Sequence, residues 1–494
     1  MGVVLHPPAF APPPVSEDSP PPLVVDLDGT LVFTDMLHET AVQLFCTAPL
    51  LALRIPAWLL SGKAALKKKL AENAPIDAHF LPYNLPLIDW LREQDMNGRS
   101  VILCTASDEL VAHSIAAHCG FFDDVMASKG TINLTGDRKA QALVERFGCS
   151  GFDYVGNSLA DIPVWSVARE GIVVNASPKT SELARQVCDV TRVFSRGGQG
   201  IGTWFRALRI HHWTKNVLLF VALIAAHQID DGSAWMRLMT AFVAFSLCAS
   251  SIYITNDLLD LAHDRRHSQK RARPFAAGDI SLLTGVWLIL LLTLCGFTVA
   301  VAVGTPFVKW LSVYFVSTWM YMCALKRVAL IDCMTLAALY VLRIVSGAAA
   351  VAVALSFWLL AFSGFLFLSL AFVKRYAELH RQRSSDEMEI HGRGYVVADA
   401  WLVQLLGVVS GYSAVLVLAL YLNSDAIAVM YKTPELVWGV VPVTLFWISW
   451  MWMRASRGQM HDDPLVFAFR ERVSLLSAVL FGAMLVLGSW DVTW

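Results

Sequence analysis

Val24-Val-Asp-Leu-Asp-Gly-Thr30 is the stretch from which the N-terminal fold can be read. An apolar, β-branched run ends there on two carboxylates two residues apart. Alternation along a strand sets Asp26 and Asp28 on one side of its carboxyl end, the edge at which open α/β sheets hold ligands. Further short runs of the same kind follow at Ser100–Cys104, Tyr154–Val155 and Ile172–Asn175, separated by helical patterns. This alternation predicts a doubly wound, Rossmann-like α/β domain over 23–194, with a helical cap inserted at 36–98. Residues 1–22 carry eight prolines and predict a disordered tail with no core. The glycine-rich stretch Ser195–Gly202 follows no β-branched run, so 195–205 reads as a linker rather than a phosphate loop.

Beyond the linker the solvent changes. The 494 residues are 56% hydrophobic and 16% charged, against roughly 45–50% and about 25% in soluble domains. Mean hydropathy is +0.53. Apolar stretches of about 20 residues, each able to cross a bilayer core of about 30 Å, recur near 210–230, 235–255, 280–303, 306–325, 329–352, 356–379, 398–422, 434–454 and 472–491. They predict an all-α, multi-pass membrane bundle of about nine helices over 206–494. Arginine and lysine crowd the loops on one side, from Arg265–Arg273 through Lys326, Lys374 and Arg383 to Arg472. That bias marks the cytoplasmic side and puts the soluble domain there. A net charge of -1 gives no field for nucleic acid. The nine cysteines form no CxxC pair and read as reduced, buried side chains. No basic start with an apolar h-region announces a signal peptide.

Thr105 in Val-Ile-Leu-Cys-Thr-Ala-Ser, Lys139 in Gly-Asp-Arg-Lys and Gly156-Asn-Ser-Leu-Ala-Asp161 follow the Asp26/Asp28 motif in order. Together they resemble the haloacid dehalogenase-like phosphohydrolases over residues 23–193. The resemblance implies Asp26 as the nucleophile that forms an aspartyl-phosphate, and Asp28 as the acid that protonates the leaving alcohol and then activates water. Thr105 and Lys139 would hold phosphoryl oxygens. Mg²⁺ would sit on Asp26, the Asp28 carbonyl, Asp161 and Asn157, which stands where the family often has Asp. Within the cap, Ala48–Leu60 is apolar and is followed by Lys63, Lys67, Lys68 and Lys69. That pattern suits a helix lying in an anionic membrane interface.

In the membrane region, Asn256-Asp-Leu-Leu-Asp-Leu-Ala-His-Asp264 places Asn256, Asp260 and Asp264 at i, i+4 and i+8, one helix face. Oxygen ligands in a row at the end of a span are costly beside hydrocarbon and suit a cavity holding Mg²⁺ and a diphosphate. With Arg273-Pro-Phe-Ala-Ala-Gly278, the motif resembles the UbiA superfamily of intramembrane transferases. Aromatic prenyltransferases of that superfamily carry a second DxxxD. Here Leu336 follows Asp332 where the second carboxylate would stand, and Tyr321, Lys326, Tyr340 and Arg343 lie around it in sequence. Arg209-Ile-His-His-Trp-Thr-Lys-Asn216, Lys374-Arg-Tyr-Ala-Glu378, Arg393-Gly-Tyr395 and His461-Asp-Asp-Pro464 resemble the polyprenyl-phosphate phosphoribosyltransferase branch.

That resemblance implies a donor, phosphoribosyl diphosphate (PRPP), and a polyprenyl phosphate acceptor. Asp260 and Asp264, with Asn256 and Asp257, would hold the Mg²⁺-diphosphate. Tyr321, Lys326, Arg343, Lys374 and Arg375 are candidates for phosphate oxygens of the donor, and Lys215 and Asn216 for either substrate. The soluble domain would then remove the 5-phosphate, leaving polyprenyl-phosphoryl-ribose for the cell envelope. The expected setting is a bacterial inner membrane with both sites facing the cytoplasm and with room for a homo-oligomer. The alternatives are an aromatic prenyltransferase with an accessory N-terminal domain, or a lipid-binding protein with a vestigial one.

Overall fold

The computed structural model describes residues 20–130, 132–197, 200–226, 228, 230–382, 394–424, 431–460 and 463–489. The proline-rich tail up to residue 19, Arg383, Arg393, His461 and Asp462 therefore lie outside the described residues. The chain divides into two compact units. One takes the chain up to Ala207 together with Asp257–Val286; the other takes Leu208–Asn256 and the chain from Trp287 onward.

The first unit is built on a six-stranded sheet: β1 (Leu23–Val25), β2 (Val101–Asp108), β3 (Asp124–Ser128), β4 (Asp153–Gly156), β5 (Glu170–Val174) and β6 (Asp189–Phe194). Its order is β3-β2-β1-β4-β5-β6, and every pairing is parallel. The central β1 is wholly buried, which is why it reads as an unbroken apolar run instead of an alternating one. Leu23 pairs with Val101 on one side and Asp153 on the other, so the topological switch point falls beside β1 and directs Asp26 and Asp28 into the crevice at the strand ends. Two strands that the sequence did not announce, β3 and β6, occupy the sheet edges.

Five helices and a short 3₁₀ turn fill the insert between β1 and β2, from Met36–Thr47 to Leu85–Met96. Asp35 caps the first of these, accepting from the Leu37 and His38 amides. In the helix Ile55–Leu60, Leu59 and Leu60 are exposed, as are Leu50 and Leu53 just before it. Within the stretch expected as a linker, Ile201–Ala207 is a helix.

The segment Asp257–Val286 belongs with this unit although it lies in sequence beside long apolar helices. Its anchors are specific. Arg265 forms a buried ion pair with Glu39 of the cap at 2.5 Å. Arg196 donates to the carbonyl oxygens of Ala277 and Gly278 and pairs with Asp279. Gly278 has φ +73, and a Cβ there would meet the Phe33 side chain at 2.7 Å, so the close approach requires glycine.

The second unit is helical. Among the described residues seven helices are long and apolar enough to cross a membrane: Gly232–Leu259, Leu282–Val303, Ile331–Val351, Phe357–Gln382, Val397–Leu422, Pro434–Ser456 and Arg472–Ser489. Thr305–Cys323 adds a 19-residue helix. The first expected span is a 3₁₀ run, Ile210–Phe220, followed by the short helix Val221–Ala225. The count of nine is thus approximate, and the protein is a multi-pass membrane protein.

Candidate active sites

In the first unit the phosphatase motifs converge at the carboxyl ends of β1, β2 and β4. Lys139 is buried and donates to Asp26 Oδ1 at 2.6 Å and to the Tyr154 hydroxyl at 2.9 Å. Asp28 accepts from the Met36 amide at 2.7 Å through Oδ1 and from the Ser107 hydroxyl at 2.8 Å through Oδ2. Met36 opens a helix, so its amide is one of the donors that a helix start leaves unpaired. Thr105 is fully buried, and its hydroxyl oxygen accepts from the Ser107 amide. One hydrogen-bonded chain therefore runs from Thr105 through Ser107 to Asp28.

Burial dominates the electrostatics. It pushes the Asp26 carboxyl up to about 7 against the pull of Lys139, with Asp161 and Asp28 adding to the rise. Burial, then Asp35, pushes Asp28 up to about 6, while its bonds to Met36 and Ser107 oppose the rise. An acid near neutrality can both give a proton to a leaving alcohol and take one from water. Burial works against the Lys139 ammonium, but Asp26 and Asp161 outweigh it and hold Lys139 above the usual lysine range.

Asp161 lies close by yet is fully engaged. Its oxygens accept from the Tyr154 hydroxyl at 2.7 Å, from the Asn157 and Ser158 amides, and from the Ser158 hydroxyl. Asn157 instead lies against the catalytic loop: a Cβ on Gly29, whose φ is +76, would stand 2.1 Å from Asn157 Nδ2. For a magnesium ion the donor set fits as hard oxygens from Asp26, the Asp28 carbonyl and Asn157, with Asp161 bracing the Asn157 backbone.

Sequence reasoning missed Lys67. Grouped there with membrane-facing lysines, it turns inward and donates to the Ala106 carbonyl at 2.6 Å and to Asn133 Oδ1 at 3.3 Å. Burial lowers its pKa, and Asp28 and Asp35 pull the other way. The spacing gave one signal: in a helix, Lys67 lies nearer than Lys68 or Lys69 to the face on which Leu66, Leu70 and Ala71 of Lys63–Asn73 are buried.

The acidic row differs from one continuous helix face. Gly232–Leu259 ends before Asp260, which caps the short helix Leu261–Arg266. The Asp264 amide still bonds to the Asp260 carbonyl at 2.8 Å, so the fourfold spacing survives the break. Asp257 and Asp264 are both buried and share Arg273, at 3.2 and 2.5 Å. Asp264 Oδ1 is buried without a hydrogen-bond partner. An orphaned carboxylate oxygen in an acidic row is what a cation site presents. Among the described residues no three carboxylate, thiolate or imidazole groups close into a metal cage, and a Mg²⁺ shared with substrate phosphates needs none.

The second unit buries a polar network inside its bundle. Asp463 gathers Lys215 at 2.8 Å, Lys374 at 3.2 Å and the Tyr340 hydroxyl at 3.2 Å. Burial works to raise the Asp463 carboxyl, but Lys215 and Lys374 overcome it and hold it well below the usual range. Asn216 donates to Ser246 and accepts from Arg343 Nε at 3.2 Å; Arg343 also donates to the Tyr314 hydroxyl. Arg375, with no exposed side-chain surface, pairs with Asp332 at 2.5 Å and with Glu378. Tyr321 donates to the same Asp332. Four of the predicted substrate groups thus fall into carboxylate-centred clusters, Lys215 and Lys374 on Asp463 and Tyr321 and Arg375 on Asp332, while Arg343 and Asn216 bond to each other. Lys326 lies apart in the turn Leu325–Arg327, half-buried. Ionisable groups inside a membrane bundle are costly and by default functional.

A bundle of membrane-long helices that buries a polar network, with an aspartate-bearing phosphatase-like fold on the same chain, defines the class: an integral-membrane transferase with a phosphatase-like domain. Residues 217–476 match the UbiA prenyltransferase family, and the chain belongs to it. The uncharacterised protein y4nM of Sinorhizobium fredii (strain NBRC 101917 / NGR234) is 37% identical over 470 residues, covering 94% of this chain and 90% of that relative. Decaprenyl-phosphate phosphoribosyltransferase of Mycobacterium tuberculosis (strain CDC 1551 / Oshkosh) is 34% identical over 190 residues, 35% of this chain and 59% of that enzyme. The match thus spans little more than half of the mycobacterial enzyme's length. A substrate-bound phosphoserine phosphatase structure aligns with 36% of this chain and 95% of its own, at 17% identity and a TM-score of 0.27.

Proposed function

We propose that the protein makes a lipid-linked pentose in two steps at the cytoplasmic face of a bacterial inner membrane. In the first, a phosphate oxygen of polyprenyl phosphate bonds to carbon 1 of the PRPP ribose as the bond from that carbon to diphosphate breaks. Asn256, Asp257, Asp260 and Asp264 would hold Mg²⁺, which would supply charge neutralisation for the leaving diphosphate. The acceptor is already an anion and needs no general base, so catalysis rests on positioning. Lys215, Lys374, Arg343 and Arg375, with Asn216, Tyr321 and Lys326, are the groups that bind phosphate oxygens. Asp463 stands in for a substrate phosphate on Lys215 and Lys374.

In the second step Asp26 attacks the 5-phosphate and forms an aspartyl-phosphate. Asp28 gives its proton to the departing 5-hydroxyl, then takes one from the water that releases inorganic phosphate. Lys139 and Thr105 orient the phosphoryl group, and Asp26, the Asp28 carbonyl and Asn157 would hold a Mg²⁺ ion, which would supply screening of its charge. The exposed leucines of the cap, Leu50, Leu53, Leu59 and Leu60, bring this site to a headgroup that stays in the bilayer.

One observation carries the reading: the acidic row keeps a buried carboxylate oxygen, Asp264 Oδ1, with no protein partner. The mycobacterial relative and the missing second DxxxD favour PRPP over a prenyl diphosphate. The test uses membranes containing the full-length protein, labelled PRPP and polyprenyl phosphate, with lipid mass spectrometry. Wild type is expected to yield polyprenyl-phosphoryl-ribose and diphosphate, and Asp26→Asn to accumulate the 5-phosphorylated lipid. Labelling from a prenyl diphosphate with indifference to PRPP would overturn the first step, and identical products from Asp26→Asn the second.

A further inference from the structure

The helix Met36–Thr47 opens the cap, and its first amide also reaches the candidate acid. The Met36 amide donates to Asp28 Oδ1 at 2.7 Å, and the Ser107 hydroxyl sits on Oδ2 at 2.8 Å. A backbone amide can only donate, whereas a hydroxyl can turn to donate or accept. Oδ1 therefore stays an acceptor in both protonation states, and the proton that Asp28 carries resides on Oδ2. The placement of this helix thus decides which oxygen of the acid holds the proton.

What fixes the helix is a residue one turn along it. Glu39 accepts from the Thr34 hydroxyl at 3.0 Å and from both terminal nitrogens of Arg265, at 2.5 and 3.1 Å. Such a fork fixes direction as well as distance. Thr34 carries the constraint back to the catalytic loop, where its carbonyl accepts from the amide of Gly29, the residue after Asp28, at 3.3 Å. Arg265 is held in turn by the Ala276 carbonyl, 3.1 Å from its Nε. At the far end of the helix the Cys46 thiol donates to the Leu259 carbonyl at 3.4 Å. The segment Asp257–Val286 therefore grips the helix both near its start and near its end. Glu39 and Arg265 are both buried. Stability alone does not call for charges at such a place, because well-packed apolar side chains are often as stable there or more so.

We propose that Glu39 and Arg265 are positioning residues of the phosphatase: their pair sets the register of the helix Met36–Thr47, so that the Met36 amide meets Asp28 Oδ1 and leaves the transferable proton on Oδ2. The proposal rests on the phosphatase reading above and adds to it a part played by the segment that bears the acidic row. As an Asp26 oxygen bonds to phosphorus, the bond from phosphorus to the ester oxygen breaks and the Oδ2 proton passes to that oxygen. With the helix out of register Oδ1 loses its donor, and the proton is divided between the two oxygens. An ester whose alcohol must be protonated to leave then suffers most. An ester whose alcohol departs as a stable anion suffers little.

The experiment compares ribose 5-phosphate, whose alkoxide needs a proton to leave, with p-nitrophenyl phosphate, whose phenolate does not. Both are assayed with Mg²⁺ on the full-length protein in detergent. The readout is the ratio of kcat/KM for the sugar ester to that for the aryl ester, which reports the steps up to alcohol release. Asp28→Asn calibrates it and should lower the ratio at least about a hundredfold. Glu39→Gln, assayed below its melting transition, should lower it about tenfold. Glu39→Met/Arg265→Met should recover most of the stability and keep the lowered ratio, because two flexible thioether side chains fill the space without fixing a direction. A merely structural pair would change both rates alike, by the share of protein that folds, and would leave the ratio where it was. A ratio within about twofold of wild type in Glu39→Gln or in the double variant overturns the proposal. A wild type that hydrolyses neither ester, or an Asp28→Asn ratio that does not move, overturns the phosphatase reading beneath it.

Discussion

Replacing Glu39 by alanine tests whether the segment after the acidic row is a structural part of the N-terminal unit. Glu39 and Arg265 lie 226 residues apart in sequence, and their side chains are 7% and 6% exposed. Glu39 also accepts from the Thr34 hydroxyl at 3.0 Å, and Arg265 from its Nε donates to the Ala276 carbonyl at 3.1 Å. Removing one member of a buried pair leaves the other charge desolvated, which costs about 3–5 kcal/mol. For a unit of roughly 150–250 residues each kcal/mol moves the melting temperature by about 2–4 °C, so the Glu39→Ala transition should fall by about 6–20 °C. The pair itself contributes much less than this penalty, because its desolvation offsets most of the Coulombic gain. The double variant Glu39→Met/Arg265→Met should therefore recover most of the loss. Thermal unfolding of the full-length protein, followed by protease susceptibility of the cap, measures both. A Glu39→Ala protein that melts within about 2 °C of wild type would refute the reasoning. So would a double variant no better than the sum of the two single ones.

Three further outcomes follow from the sites. Asp26 and Asp28 have folded pKa values of about 7 and about 6, above their ordinary carboxylate value. Each therefore holds a proton in the metal-free fold that the unfolded chain has lost, and metal-free stability should decline as pH climbs from about 4 to about 7. Magnesium must displace those protons, so its stabilising effect in a thermal-shift titration should grow over the same interval; an effect flat with pH contradicts it. Asp260→Ala and Asp264→Asn should each lower diphosphate release from PRPP by at least about a hundredfold, read by a coupled diphosphate assay. Lys67→Ala should reduce kcat/KM for phosphate esters about tenfold, because an ammonium beside Asp28 is lost; steady-state kinetics with p-nitrophenyl phosphate would show it.

The candidate phosphatase-like site was easier to read from sequence than its surroundings. Asp26 and Asp28 follow β1, Thr105 lies in β2, Lys139 in the helix Asp137–Phe147 and Asn157 follows β4, in chain order, and the three strands are buried enough to read as apolar runs. The edge strands were silent for the opposite reason. β6 is largely exposed and β3 half-exposed, so polar residues populate them and no hydrophobic pattern survives. Lys67 was grouped with its neighbours because sequence reports a cluster of charge, whereas one turn of helix decides which lysine faces the site. Asp161 reads as a ligand by position, and spacing does not reveal that three donors from a local turn and a fourth from Tyr154 on β4 converge on it. Asp463 escaped notice as a hub because its partners Lys215, Tyr340 and Lys374 are far away in the chain, where only tertiary structure brings them together. Arg265 reads as part of a basic membrane-side loop, and nothing local signals that its partner is Glu39.

The N-terminal unit is interrupted in sequence: its last piece, Asp257–Val286, comes after the apolar helix Gly232–Leu259. During synthesis the ribosome delivers the sheet and cap first, then a stretch destined for lipid, and only afterwards the residues that cover Phe33 and neutralise Glu39. Until they emerge, a buried-type carboxylate and an aromatic face stand open to water. The N-terminal unit is thus completed only by residues made after most of a long apolar helix that it does not contain. It also means that a fragment cut at the apparent linker would be missing a wall of its own house.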